Sequence, residues 1–224
     1  MTPAGFWAAR LGCSAADLTR SGLTLLRHAE PRGFYALAAG SAVVVAAPES
    51  LHAALREHPD PAGLLTREAA ARVLPAGAAF VGPACLAYLE RAPAPPQPVV
   101  RVTSAHDPAL AALRAAVRAE EWRHANLEAA EPPLFAWAHE GALASASGFQ
   151  RLLDSVAHVG VVTDPRARSR GLGRRVVQAA AAHAFGLGLL VQYQTLAANA
   201  PALRIAESLG FVPFARTLSA RWNA

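Results

Sequence analysis

The 224-residue chain contains no lysine, so arginine provides all 21 residues of its Lys+Arg total. The formal net charge is +5, and five arginines also lie between residues 166 and 175. A protein that binds nucleic acid usually spreads its basic residues along a face or a stripe. Positive charge concentrated in one short stretch instead predicts a single small anionic ligand, such as a phosphate group, and argues against nucleic acid as a partner.

Cysteine is almost absent as well. Cys13 and Cys85 are the only two, and neither belongs to a CxxC or Cys/His spacing of the kind that binds metal. We therefore expect two buried free thiols in a reducing cytoplasm, with no disulfide framework and no metal site.

Long apolar runs are also lacking, although 53% of the residues are hydrophobic and only 17% are charged. No segment approaches the roughly 18 consecutive apolar residues that a membrane-spanning helix needs. The N-terminal segment MTPAGFWAARLG has no basic leader ahead of an apolar run. The composition therefore predicts a folded cytoplasmic protein without a membrane partner.

Proline is concentrated in one place, the segment RAPAPPQPVV at residues 91–100. This composition excludes a helix and is typical of a semi-rigid connector. It predicts two domains, residues 1–97 and residues 98–224.

The first domain carries strand and helix signals but no motif that indicates chemistry. Apolar runs at residues 23–29, 33–40 and 41–47 predict three strands. Residues 49–58 and 67–74 have helical patterns, and residues 78–90 predict a strand followed by a short helix. The pattern is that of an α/β domain whose role stays open.

The second domain has clearer signals. Asp107 and Pro108 predict the start of a helix that continues to residue 122. Glu140 and Gly141 separate two apolar runs and predict a hairpin turn. The remaining predicted elements are a strand over 155–163, a helix over 172–185, a strand over 187–196, a helix over 200–210 and a strand over 211–222.

Two glycines, Gly171 and Gly173, interrupt the arginines where the helix over 172–185 begins. A helix N-terminus presents unpaired backbone N–H groups and about half a positive charge, and it binds phosphate readily. Glycine lets ligand oxygens approach the backbone closely, and arginine adds bidentate donors. The stretch is therefore predicted to hold a diphosphate.

These residues resemble a known family. RSRGLG, from Arg168 to Gly173, is similar to the (Q/R)xxGx(G/A) acyl-CoA signature of the GCN5-related N-acetyltransferases (GNAT). NAPALRIAESLGF, from Asn199 to Phe211, resembles the NxxAxxxYxxxGF segment of the same family. The resemblance implies an α/β (α+β) fold over the second domain. Its sheet would be mixed but mostly antiparallel, flanked by helices, with two splayed central strands.

The resemblance also implies acetyl-CoA as the cofactor. The backbone of the strand before the glycines would pair with the pantetheine arm, and the stretch after it would hold the pyrophosphate. Asn199 would lie near the pantetheine amide or the thioester. The cofactor-binding residues so implied are Val161, Val162, Thr163, Arg168, Ser169, Arg170, Gly171, Leu172, Gly173, Arg174 and Asn199.

One departure concerns the general acid. Ala206 stands where the family often has a tyrosine that protonates the leaving thiolate. The candidate catalytic residues are His158 as a base, Glu121 as a group that positions an amine or a water, and Tyr193 as a substitute acid. The candidate acceptor-binding residues are Glu120, His124, Gln192 and Gln194.

The activity implied is transfer of an acetyl group to a primary amine of a small molecule or a peptide, by direct attack on the thioester. Two alternatives stay open, a longer acyl group and a non-catalytic acyl-CoA-binding or sensor protein. A dinucleotide enzyme is excluded because Val176 replaces the third glycine of GxGxxG and no acidic residue ends the next strand. The first domain would be a lid, a module that forms a homodimer, or a degenerate copy of the acyltransferase fold.

Overall fold

The structure, a computed structural model, describes residues 1–94 and 99–223. The described part of the chain is a mixed α/β protein with seven α-helices and ten strands. The helices are α1 (Pro3–Leu11), α2 (His52–Arg56), α3 (Arg67–Val73), α4 (Ala111–Ala116), α5 (Ala119–Ala125), α6 (Leu172–Gly186) and α7 (Ala200–Ser208). The strands are β1 (Gly22–Arg27), β2 (Gly33–Ala39), β3 (Ala42–Ala47), β4 (Ala79–Leu89), β5 (Val100–Val102), β6 (Leu134–His139), β7 (Ala142–Leu152), β8 (Val156–Thr163), β9 (Leu190–Leu196) and β10 (Phe211–Arg221).

The chain divides into two compact units that are not consecutive pieces of sequence. Unit 1 consists of Met1–Ala87, Thr195–Ala200 and Pro213–Ala224, and unit 2 of Tyr88–Gln194 and Pro201–Val212. The end of the chain belongs to unit 1 because residues 216–221 of β10 pair with β2. The predicted boundary at residue 97 lies outside the described residues and stays a prediction.

Unit 1 is built on strands in the order β1-β3-β2-β10. The β1–β3 pair is parallel, whereas the β2–β3 hairpin and the β2–β10 pair are antiparallel. The three strands predicted before residue 48 are confirmed. The short helix predicted after a strand in residues 78–90 is wrong, because that segment is one strand, β4, to Leu89. The core of unit 1 includes the fully buried Phe34, Val45, Leu55 and Leu218.

Unit 2 is built on strands in the order β9-β8-β7-β6-β5. All the neighbouring pairs are antiparallel except β8–β9, which is parallel. Helix α6 packs on β6, β7 and β8, while α4 packs on β7 and α5 on β8. The mostly antiparallel α/β fold that the resemblance implied is confirmed.

The two faces of β8 are distinguished by alternate residues, because successive side chains in a strand point to opposite sides. A Cβ added at Gly173 of α6 would lie 3.2 Å from Thr163 Oγ1 and 3.8 Å from Val161 Cγ2, so odd-numbered side chains of β8 face α6. One added at Gly160 would overlap the carbonyl oxygen of Ala125, so even-numbered residues face α5.

The helix predicted over 107–122 is interrupted. Asp107 and Pro108 start it as expected, but with a short 3₁₀ turn, and α4 ends at Ala116. Val117 and Arg118 are extended before α5 begins. The break places both Val117 and Trp122 in the core beneath the even-numbered face, which a straight helix could not do since residues five apart lie on different sides.

The predictions for the hairpin and for the cysteines have different outcomes. The predicted hairpin is confirmed, with Glu140 at φ 52° and Gly141 at φ 81°. Cys13 and Cys85 are free thiols, but both are half-buried rather than fully buried. Among the described residues, none of the helices has the length and apolar character to cross a membrane.

Candidate active site

The candidate site begins at the N-terminus of α6. Gly171 is its N-cap with a left-handed φ of 75°, and no side chain caps the helix. The first intrahelical hydrogen bond runs from Arg175 N–H to Gly171 C=O. Within residues 1–94 and 99–223, the backbone N–H groups of Leu172, Gly173 and Arg174 have no hydrogen-bond acceptor. The first turn therefore leaves three donors available to an anion.

The two glycines of this turn serve different purposes. Gly171 needs its left-handed φ, and a Cβ built there would meet nothing within 4 Å. Gly173 is buried, and its Cβ would lie only 3.2 Å from both Thr163 Oγ1 and Ile205 Cδ1. The lack of a side chain at Gly173 therefore allows α6 to pack closely, while the contact of its backbone with a ligand stays a prediction.

Two of the five arginines are committed to structural contacts. Arg166 makes a salt bridge of 2.8 Å with Asp164, whose side chain also accepts from the Arg166 backbone N–H at 2.9 Å. These contacts, the Arg166 side-chain bond foremost, hold the pKa of Asp164 below its usual range. The guanidinium of Arg175 lies 4.5 Å from the ring centroid of Trp137, a cation–π distance.

Arg168 is also paired, with an unexpected partner. Its Nη2 lies 2.8 Å from Glu121 Oε2, and its Nε donates to the Thr163 carbonyl oxygen at 3.2 Å. Glu121 Oε1 accepts from Arg118 Nη2 at 2.7 Å. Hydrogen bonds from Arg118, first, and Arg168 lower the pKa of Glu121, which makes this carboxylate a poor proton acceptor.

Arg170 and Arg174 complete the set. Both side chains are exposed, and neither has an ion-pair or hydrogen-bond partner in the part of the chain that the structure describes. Ser169, between Arg168 and Arg170, is exposed with φ 62°, so the chain turns sharply here. Two free guanidinium groups and three unpaired N–H groups therefore belong to the same five residues of the chain, 170–174.

The backbone of β8 offers a second set of polar groups. Asp164 N–H donates to Ala144 C=O, so even-numbered residues of β8 direct their backbone toward β7. Leu190 N–H donates to Ser155 C=O, so odd-numbered residues direct theirs toward β9. The β8–β9 pairing ends at the Val159–Tyr193 pair, although β8 continues to Thr163.

The backbone groups of Val161 and Thr163 therefore face the β9 side at a point where the pairing has stopped. This is the splaying of the central strands that the resemblance implied, and it is confirmed. The Thr163 side chain is held from the other direction, because its Oγ1 lies 2.9 Å from Ser145 Oγ. Val162, between them, faces α5 and is buried in the core.

A row of polar side chains crosses the α5 face of this sheet. His158 on β8 is half-buried and pairs in register with Gln150 on β7 and Gln192 on β9. Gln150 Oε1 accepts from Asn126 Nδ2 at 2.5 Å, and Gln192 Nε2 donates to Tyr88 Oη at 3.0 Å. We call the set of His158, Gln150, Gln192, Asn126 and Tyr88 the polar row. It lies one residue before the point at which β8 and β9 separate.

Gln192 is the most buried member of the polar row, with 1% of its surface exposed. Its Oε1 is buried and has no hydrogen-bond partner among the residues that the structure describes. An unsatisfied buried acceptor is costly, on the order of 1–3 kcal/mol, and such groups concentrate at functional sites.

The model of the GNAT acetyltransferase family matches residues 100–211, which are 112 of the 224 residues. This chain belongs to the GNAT acetyltransferase family. The activity class of the family is acetyl transfer, and the family uses acetyl-CoA.

Solved structures of similar fold include two GNAT acetyltransferases. An acetyltransferase of the GNAT family from Novosphingobium aromaticivorans is 25% identical, with a TM-score of 0.52, over 67% of this chain and 70% of its own. A GNAT acetyltransferase from Colwellia psychrerythraea has the same TM-score of 0.52 at 19% identity, over 65% of this chain and 57% of its own. A comparison with curated proteins finds no match.

The residues of this GNAT domain fit the family's cofactor. The unpaired N–H groups of α6 and the exposed Arg170 and Arg174 suit a diphosphate, because both offer donors to anionic oxygens. The free backbone edge at Val161 and Thr163 suits an extended, amide-containing arm that pairs as a strand would. The free backbone edge and the unpaired N–H donors follow one another along a single segment of the chain, which runs from β8 to α6.

The predicted acid and acceptor residues differ in their surroundings. Tyr193 is buried on the α6 side with its ring 5.4 Å from that of Phe211. Burial raises the pKa of the Tyr193 phenol, which makes proton donation harder. Gln194, the next residue, is exposed.

The structure describes the surroundings of three other predicted residues. Glu120 and His124 are exposed on α5, so they are open to an acceptor. Asn199 lies in the turn before α7, where its N–H donates to Leu196 C=O at 2.9 Å. It belongs to unit 1, and its proposed contact with the pantetheine stays a prediction.

Several residues of the site carried no signal in the sequence. Gln150, Asn126 and Tyr88 become visible only when strand register and the α5 C-terminus bring them beside His158 and Gln192. Asn126 offers one local clue, since its left-handed φ of 52° marks the end of α5.

Proposed function

We propose that this GNAT protein is an N-acetyltransferase that uses acetyl-CoA and acts on a primary amine of a small molecule or a peptide. The observation that supports it most is the run of unpaired backbone donors at the start of α6, directly beyond the unpaired edge of β8. When bound, acetyl-CoA supplies an activated acetyl group as a thioester, which an amine can attack directly.

We call the first turn of α6, together with Arg170 and Arg174, the cradle. The cradle would bind the diphosphate of the cofactor, and the free edge of β8 would bind its arm. The N–H groups of Leu172, Gly173 and Arg174 would donate to phosphate oxygens, and Arg170 and Arg174 would add positive charge. Backbone N–H groups on the free edge of β8 would also stabilise negative charge on a carbonyl oxygen.

The polar row would serve the acceptor. His158 would take the proton from the amine, because it is the titratable side chain nearest the separation of β8 and β9 along β8. Gln192 Oε1 would accept a hydrogen bond from the same nitrogen, which would satisfy its buried oxygen. Glu120, His124 and Gln194, all exposed, would border the acceptor farther out.

Binding of the cofactor can be measured without knowing the acceptor. Acetyl-CoA and CoA are expected to raise the melting temperature, because a ligand at 100 times its Kd adds about 2.7 kcal/mol of stability. Isothermal titration calorimetry should give one site per chain. If no heat and no thermal shift appear at millimolar CoA, the proposal is wrong.

A panel of primary amines, read by release of free thiol from acetyl-CoA, separates catalysis from a second candidate. Ala206 replaces the family's tyrosine and the Tyr193 hydroxyl is buried, which favours a non-catalytic acyl-CoA-binding or sensor protein. That candidate predicts CoA binding with no thiol release above the uncatalysed rate for any amine. The enzyme predicts saturable release with at least one.

The role of His158 can be tested once an acceptor is found. His158→Gln keeps a polar side chain of similar size but removes the titratable group, so we expect kcat to fall on the order of 100-fold. The Kd of CoA should change less than about twofold, since the cradle residues are untouched. A kcat within threefold of wild type would assign the proton transfer to another group or to water.

A further inference from the structure

Arg168 is the arginine of the acyl-CoA signature, yet its charge is already engaged in this structure. Its guanidinium contacts Glu121 Oε2 at 2.8 Å through Nη2 and the Thr163 carbonyl oxygen at 3.2 Å through Nε. The other carboxylate oxygen of Glu121 is held by Arg118 at 2.7 Å and 3.1 Å. We call the contacts of Arg168 with Glu121 and Thr163 the latch.

The latch occupies a group that a bound cofactor would need. Thr163 is an odd-numbered residue of β8, so its carbonyl faces the β9 side beyond the last β8–β9 pair. It is therefore one of the free edge groups available to an extended arm. While Arg168 Nε donates to it, one of the two acceptor positions of that carbonyl is occupied, and the guanidinium lies within 3.2 Å of the oxygen with which a strand-like arm would pair.

The latch also joins two layers of the unit. Glu121 is on α5, which packs on the even-numbered face of β8, whereas the cradle belongs to α6, which packs on the odd-numbered face. Arg168 is the only residue among those described in the β8–α6 turn that pairs with α5. Its neighbours Arg170 and Arg174 have no such partner among the described residues.

The latch is weak enough to exchange partners. The side chains of Arg168 and Glu121 are 48% and 25% exposed, so their attraction is screened by water. A diphosphate carries more negative charge than a carboxylate and presents several oxygens to a guanidinium fork. Glu121 would keep Arg118 after losing Arg168, so its charge would stay paired.

We infer that Glu121 and the cofactor's diphosphate compete for Arg168. In the free protein the latch keeps the Thr163 carbonyl bonded to Arg168, and binding of the cofactor opens the latch by drawing Arg168 away. This inference rests on the proposed function, because it assumes a diphosphate ligand at α6. Opening would leave the Thr163 carbonyl free for the cofactor's arm and would give one oxygen of Glu121 to the acceptor side of α5.

The test measures CoA affinity by calorimetry in four variants at one salt concentration. Glu121→Gln should bind CoA about two- to fivefold more tightly than wild type, because an exposed ion pair of this kind contributes little and is no longer broken. Glu120→Gln removes the same charge from the same helix at an exposed residue, and it should change the Kd by less than about 1.5-fold.

The double variant separates competition from simple charge removal. In Arg168→Ala, CoA should bind more weakly, and adding Glu121→Gln to that background should bring no further gain, since the contested arginine is gone. A gain that persists in the double variant, or weaker binding by Glu121→Gln, would overturn the inference. If wild type itself fails to bind CoA, the proposed function fails first.

A measurement on the wild-type protein covers the case in which a variant does not fold. The Nε–H resonance of Arg168, identified by its loss in the Arg168→Ala spectrum, should shift when CoA or inorganic pyrophosphate is added. An unchanged resonance at saturating CoA means that Arg168 keeps its bonds to Thr163 and Glu121, and the inference is then wrong.

Discussion

Gly171→Asp is expected to remove nearly all of the thermal shift that CoA gives the wild-type protein. Gly171 is the N-cap of α6, and a side chain there would project into open space beside the three unpaired N–H groups. A carboxylate about 5–6 Å from a phosphate charge costs roughly 3 kcal/mol at an effective dielectric constant near 20. Affinity for CoA should fall on the order of 100-fold.

The matched control is Gly171→Asn. Asparagine and aspartate have nearly the same size, and both tolerate a left-handed φ such as the 75° of Gly171. The two variants should therefore have similar melting temperatures without ligand, lower than wild type by a similar amount. Calorimetry should find CoA binding largely retained in the asparagine variant. Equal affinities in the two variants would place the diphosphate away from Gly171.

Gly160→Ala is expected to destabilise the protein strongly, although it adds only one methyl group. The added Cβ would overlap the carbonyl oxygen of Ala125, a backbone atom that cannot rotate out of the way. Either α5 or β8 must shift, and overpacking of this kind costs about 3 kcal/mol or more. For a chain of this size the melting temperature should fall by roughly 6–12 °C.

Gly186→Ala provides the control for that experiment. Gly186 ends α6, a Cβ there meets nothing within 4 Å, and its φ is not in the left-handed region. The same substitution should be neutral or stabilising by up to about 1 kcal/mol. If both variants melt at the same temperature as wild type, α5 does not lie against β8 at Gly160.

Both predictions concern glycines, but only one of the two was evident in the sequence. Gly171 lies among arginines at the start of a helical pattern, so its neighbours along the chain indicate its role. Gly160 lies in an ordinary apolar strand, and nothing near it in sequence suggests that Ala125 packs against it. The contact exists because α5 crosses β8 at this residue, 35 positions after Ala125 in the chain.

The arginines illustrate the same division. The sequence identified their concentration, and from it an anion site, because charge density is a property of the chain itself. It did not distinguish Arg170 and Arg174, which are free among the described residues, from Arg168, which is paired with Glu121. The pair joins residues 47 positions apart, and Glu121 lies on α5, which begins only after the break at Val117.

The sequence by itself determined the local parts of this protein: the strand β8, the turn after it, the helix α6 and the donors at its start. It could do so because dihedral preference, helix periodicity and helix-end hydrogen bonding depend on residues within a few positions of one another. Tertiary structure alone decided that Gly173 is a packing residue, that the polar row assembles, and that Arg168 is latched. Those features depend on strand register and on which helix covers which face, and both are set by burial of side chains far apart in the chain.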